Sequence, residues 1–81
     1  MLIIGFDWAS DKHDVCILRP DGSVLHKGEV EHSAKGFEKL QQKIASLEPR
    51  EDEVHVALEQ HDGALLAWLL ASGYTVYGIN P

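Results

Sequence analysis

The segment Arg19-Pro20-Asp21-Gly22-Ser23 separates two β-prone runs, His13 to Leu18 and Val24 to Val30. Proline presets φ at the second position of a turn, and glycine accepts the positive φ that other residues avoid. The chain must therefore fold back on itself here, as a hairpin. An earlier apolar run, Leu2 to Phe6, is bounded by the polar stretch Asp7-Trp8-Ala9-Ser10-Asp11. Its shortness and its Ile pair predict a strand buried on both faces. Together the three runs predict an antiparallel meander.

A helix is predicted next. Ser33 is a suitable N-cap, and Phe37, Leu40, Ile44 and Leu47 recur at helical spacing. Lys35, Glu38, Lys39, Gln42 and Lys43 fill its outer face, and Pro49 stops it. From Val54 to Glu59 apolar residues alternate with His55, Ala57 and Glu59, which predicts a fourth strand. A second helix runs from a cap at Asp62 to Ser72, with Gly73 just past its end. Its leucines and Trp68 predict an element largely buried. Tyr74 to Ile79 is the last strand. The fold class is thus α/β, a mixed sheet in the order β-β-β-α-β-α-β. The helical connections return the chain parallel to earlier strands. Strand one is expected at the centre, with strand two on one side and strand four on the other.

At 81 residues there is room for one small domain, residues 1–81. No apolar run approaches the ~20 residues that span a bilayer, and Met1-Leu2-Ile3-Ile4 lacks the basic start of a signal peptide. With a single cysteine, Cys16, no internal disulfide is possible, which points to a reducing cytoplasm. The formal net charge of -6 argues against a module that grips nucleic acid unaided, because phosphates are neutralised by Lys and Arg. The closing Gly78-Ile79-Asn80-Pro81 follows directly on an apolar run, and we expect the chain to be a piece of a longer domain.

Two acids stand out. Asp7 ends strand one and Glu59 ends strand four. If those strands are parallel neighbours, their ends lie about 5 Å apart in backbone terms. Counting back by twos from each acid gives Gly5 and Ile3, and Ala57 and His55, so small residues share the face of the acids. Carboxylates at that range repel unless a cation lies between them. Mg²⁺ or Mn²⁺ takes oxygen ligands and serves phosphodiester chemistry. Strand-end acids are also commonly solvated residues, so the pair by itself leaves both readings standing.

Ile4-Gly5-Phe6-Asp7-Trp8-Ala9-Ser10-Asp11-Lys12-His13-Asp14-Val15 resembles the opening of DEDD-type, RuvC-like insertion-sequence transposases, relatives of Piv-type invertases. Ala57-Leu58-Glu59, Gly63, Gly73-Tyr74 and Ile79-Asn80-Pro81 match later landmarks of the same domain. The resemblance covers essentially the whole chain. It implies a ribonuclease-H-like fold, truncated before its final helices, and DNA transposition or site-specific recombination by divalent-metal phosphodiester chemistry in the full-length protein. It implies that Asp7 and Glu59 are the first two of four catalytic, metal-binding acids. The other two fall in a later helix, so this chain alone is expected to be inactive. Implied partners, through the full-length protein, are DNA and a structured guide RNA. Separately, the uncovered apolar surface of a truncated α/β domain leads us to expect homo-oligomers, and the lack of a long apolar run leads us to expect no membrane. Where the family usually has small residues after its Glu, this chain has Gln60-His61-Asp62.

Other residues carry weaker readings. His13 is expected to be a structural or exposed strand histidine, with contact to a metal-bound water as the second reading. His55, Glu59 and His61 alternate in a way that loosely suggests zinc. His26 and His32 read as surface residues, Cys16 as a small buried hydrophobe, Trp8 as a packing residue and Trp68 as core. Asp62 reads as a cap, and Asp11 and Asp14 as facing water. Gly36, inside the first helix, implies a close neighbour. Two other functions fit the element order: the N-terminal half of an actin-like sugar kinase or ATPase, and a non-catalytic assembly module. Against the kinase, Trp8-Ala9-Ser10 follows Asp7 without the glycine of a phosphate-binding turn.

Overall fold

The computed structural model describes residues 1–7, 12–59 and 63–79, with Glu59 and Ile79 described by backbone alone. The elements are β1 (Leu2–Asp7), β2 (Lys12–Leu18), β3 (Val24–Glu31), α1 (Ala34–Leu47), β4 (Val54–Glu59), α2 (Gly63–Ala71) and β5 (Thr75–Ile79), with a single 3-10 turn at Glu51–Glu53 before β4. They form one five-stranded mixed sheet in the order β3-β2-β1-β4-β5. β1 is central, antiparallel to β2 and parallel to β4. This is the expected α/β, ribonuclease-H-like arrangement.

Local chemistry explains the joints. At the β2–β3 turn the Gly22 N–H donates to the Arg19 carbonyl at 2.9 Å, and Gly22 has a φ of 91°. The Asp21 carboxylate accepts from both the Ser23 N–H and its hydroxyl, which holds its pKa below the ordinary value. At the start of α1 the Ser33 hydroxyl accepts from the Gly36 N–H at 3.0 Å, satisfying one otherwise orphaned donor. A Cβ built on Gly36 would overlap the carbonyl oxygen of Glu31, so the close neighbour is the end of β3. At the far end of α2, Gly73 has a φ of 87° and donates to Leu70, while Tyr74 donates to Leu69, a Schellman-type closure.

One core holds these pieces together. Leu2, Ile4 and Phe6 of β1, Val15 and Ile17 of β2, and Val54, Val56 and Leu58 of β4 pack with Phe37, Leu40 and Ile44 of α1 and Leu65 and Leu69 of α2. All those strand residues share one face of the sheet. The β3-to-β4 and β4-to-β5 crossovers both travel in the same direction across the strand order. Since such crossovers are right-handed, both helices must land on the same face.

Three expectations are corrected. β1 is buried on one face only: Ile3 and Gly5 are half-buried and Asp7 is exposed, because neither helix covers their side. The second helix is not largely buried. Leu65 and Leu69 are sealed, but Leu70 is 56% exposed, since one stripe meets the sheet and the rest faces outward. Cys16 is half-buried on the helix-free face rather than in the core.

Candidate metal centre on the helix-free face

The helix-free face carries the alternate residues of each strand. Gly5 of β1 pairs with Cys16 of β2 on one side and with Ala57 of β4 on the other. Three small residues thus form a low floor, and a Cβ added to Gly5 would meet nothing within 4 Å. An open depression of about 750 Å³ lies here, lined among others by Gly5, Asp7, Asp14, Cys16, Lys27 and Ala57.

Asp7 stands at the carboxyl end of β1, exposed at the rim of this floor. The parallel register runs Gly5↔Ala57 and Phe6↔Leu58, so one step further along both strands positions 7 and 59 come level. β4 itself reaches Glu59, whose backbone pairs with Ile79 of β5. The structure therefore brings the backbones of the two predicted site residues to adjoining strand ends.

A neighbour was missed. Asp7 is the register partner of Asp14 across the β1–β2 ladder, and Asp14 is in turn the partner of Glu29 on β3. Asp14 is exposed, as expected, but it faces Asp7 directly. Directly opposed like charges oppose strand pairing, by roughly 0.2–1 kcal/mol. The signal was the hairpin register, which the sequence did not fix because the length of the β1–β2 connection was open. Among the described residues, no three His, Cys, Asp or Glu side chains stand close enough to hold an ion between them. Asp7 and Asp14 make no ion pair among the described residues. Exposed oxygen donors over a floor of small residues fit a hard divalent cation, which takes carboxylates and keeps several waters.

Three of the described histidines, His13, His32 and His55, have other partners. His13 is fully buried on the helix-covered face, with its Nε2 2.9 Å from Nδ1 of His32. Its contact with a metal-bound water near Asp7 is therefore excluded by the sheet between them. His32 is half-buried and meets Phe37 edge-on, and Phe37 stacks on half-buried Trp68 at 5.0 Å. His55 is stacked on Tyr77, its Nδ1 2.9 Å from the tyrosine hydroxyl. His55 and position 59 lie four steps apart on one strand, a rise of ~13 Å, too far to share one zinc ion. His61, Asp62, Trp8 and Asp11 lie outside the described residues.

Comparison with known proteins relates the sequence to transposases. The profile of the transposase family DEDD_Tnp_IS110 matches residues 4–81. A Streptomyces coelicolor protein described as the mini-circle transposase for IS117 is 33% identical over 78 residues, covering 95% of this chain and 19% of that protein. A Sinorhizobium fredii protein described as transposase y4uE is 29% identical over 79 residues, covering 95% of this chain and 22% of that protein. The chain spans about a fifth of the length of these curated relatives.

Proposed function

Because the chain belongs to the transposase family DEDD_Tnp_IS110, we propose that residues 1–81 form the N-terminal part of a ribonuclease-H-like catalytic domain whose parent protein transposes or recombines DNA. Asp7 and Glu59 are its first two metal ligands, binding Mg²⁺ or Mn²⁺. The observation that supports this reading is the parallel pairing of β1 with β4, which runs to Phe6↔Leu58, one step short of Asp7 and Glu59. The transposase relatives weigh for this reading over the sugar-kinase alternative.

The chain's own residues supply placement. β1 and β4 are rigid central strands, so carboxylates at their ends are held without side-chain searching. Gly5, Cys16 and Ala57 keep the floor low enough for a phosphodiester to approach. Asp14 adds negative charge opposite Asp7 and strengthens the attraction for a cation. When bound, a divalent ion supplies charge neutralisation at the scissile phosphate. Two ligands of four hold such an ion weakly, so the chain alone does not cleave DNA. The parent protein works in the cytoplasm as a homo-oligomer, with DNA and a structured guide RNA as partners.

The test has two arms. Mn²⁺ titrated into the chain should broaden the NMR signals of Asp7 and its neighbours at millimolar concentration, and Asp7→Asn should abolish the effect. In the full-length protein, Asp7→Ala and Glu59→Ala should each remove DNA strand transfer. Full activity in either variant would sink the assignment.

A further inference from the structure

A second charged feature lies on the flank of the molecule. Lys35, Lys39 and Lys43 follow one another at intervals of four along α1, and all three are exposed. Together with His26 and Gly36 they line a groove between α1 and the edge strand β3. None of the three makes an ion pair among the described residues. Three of the chain's seven Lys and Arg residues therefore sit in one stripe, on a helix with a single acid, Glu38, in a protein of net charge -6. Like charges four apart on a helix repel and cost a few tenths of a kcal/mol per pair. The stripe is thus a concentration of positive charge that the fold itself does not need, a local exception to the net charge of -6 that argued against nucleic-acid binding by the chain as a whole.

We infer that the Lys35-Lys39-Lys43 stripe is a contact for the phosphate backbone of duplex DNA. This rests on the reading above only in taking DNA as the partner. β3 runs parallel to β1 and hands over to α1 at the end of the sheet where Asp7 stands, so Lys35 begins the stripe at the level of the candidate metal centre. From there the helix descends along the flank, and the three lysines span ~12 Å of its axis. Duplex DNA carries one charge per ~1.7 Å, so about seven phosphates pass along such a span. A duplex entering at the carboxyl ends of β1 and β4 would continue down this flank. Glu29 and Glu31 also rim the groove. The Glu31 carboxylate accepts from the Ser33 hydroxyl at 3.2 Å but keeps its charge, so the β3 side of the groove is acidic and the phosphate contact is confined to the exposed lysines of α1.

Fluorescence anisotropy with a labelled duplex, in EDTA and at a series of salt concentrations, tests the proposal. Three phosphate contacts predict a slope of log K against log salt of about -2.7, an affinity loss of about 40-fold between ~50 and ~200 mM salt. The triple variant Lys35→Gln, Lys39→Gln, Lys43→Gln should lose nearly all of that slope, while Arg50→Gln, which removes an exposed cation paired with Asp52, should leave it unchanged. Circular dichroism reports whether each variant keeps its fold. Failure of the unmodified chain to bind duplex at low salt would overturn the proposal, as would an unchanged slope in the triple variant. Binding of single-stranded RNA through these lysines, with duplex ignored, would overturn it too. Because no metal is present, these outcomes leave the Mn²⁺ titration independent.

Discussion

Gly36→Ala separates the tertiary argument from helix propensity, because the two predict opposite signs. In an isolated helix, replacing an interior glycine by alanine gains up to about 1 kcal/mol. Here the added methyl would overlap the Glu31 carbonyl, with the Glu31 Cβ at 3.1 Å. That carbonyl cannot swing aside freely, since it accepts a hydrogen bond from the Ser33 N–H at 2.9 Å. The Ser33 hydroxyl in turn holds the Gly36 N–H. Relief requires α1 to shift away from the end of β3, pulling Phe37 and Leu40 from the core. Overpacking of this kind typically costs about 1–3 kcal/mol, so after a propensity gain of up to about 1 kcal/mol a net loss of up to about 2 kcal/mol is expected. For a domain of this size that is a fall in Tm of up to about 15 °C. Thermal and urea unfolding by circular dichroism measure it. Gly63→Ala is the control, because nothing lies within 4 Å of a Cβ built there; it should leave Tm unchanged or raise it. A Gly36→Ala protein more stable than the parent would refute the close contact between β3 and α1.

Leu69→Ala, at a residue with no solvent exposure, should lower stability by about 2–5 kcal/mol, whereas Leu70→Ala one position on should stay within about 0.5 kcal/mol in urea unfolding. Burial, reinforced by Glu51, raises the Tyr74 pKa above its ordinary value. The stability it lends is therefore fully present below about pH 10 and is lost as pH rises through the raised value. Tyr74→Phe should abolish this alkaline loss when urea midpoints at about pH 9 and about pH 11 are compared. Asp14→Asn should raise stability by about 0.5 kcal/mol in EDTA by relieving repulsion with Asp7. The gain should shrink in millimolar Mg²⁺; an equal gain in both buffers would count against a cation at this row.

The elements were legible because each carried its own local signal. Pro20 and Gly22 set the hairpin, Ser33 and Gly73 bounded helices, and alternation from Val54 to Leu58 marked β4. Which face would be covered was harder to read. An unbroken apolar run such as Leu2 to Phe6 looks the same whether one side or both are packed, and the answer came from two crossovers running in one direction. Leucines of α2 misled for a related reason: their hydrophobicity is nearly uniform around the helix, so composition did not say that Leu65 and Leu69 would be sealed and Leu70 left out. Asp14 and the His13–His32 pair depend on register across the sheet and on a packing partner 19 residues away, neither of which a local pattern encodes.

Asp7 is placed by the same alternation that builds the core. Leu2, Ile4 and Phe6 occupy the helix-covered face of β1, and the next odd position must emerge on the other. A one-residue slip of β1 would bring Asp7 inward and expel all three apolar side chains. At about 1.5–3 kcal/mol for each side chain, and with Ile3 turned inward in exchange, the net loss is about 3–6 kcal/mol, a large part of the stability of a small domain. The position of the acid is therefore protected by folding energy rather than by any contact the carboxylate makes. The small residues Gly5 and Ala57 share that protection, since their neighbours Ile4, Phe6, Val56 and Leu58 are locked in the core. An insertion in β1 that kept the motif but shifted its phase should consequently unfold the chain before it altered any metal binding.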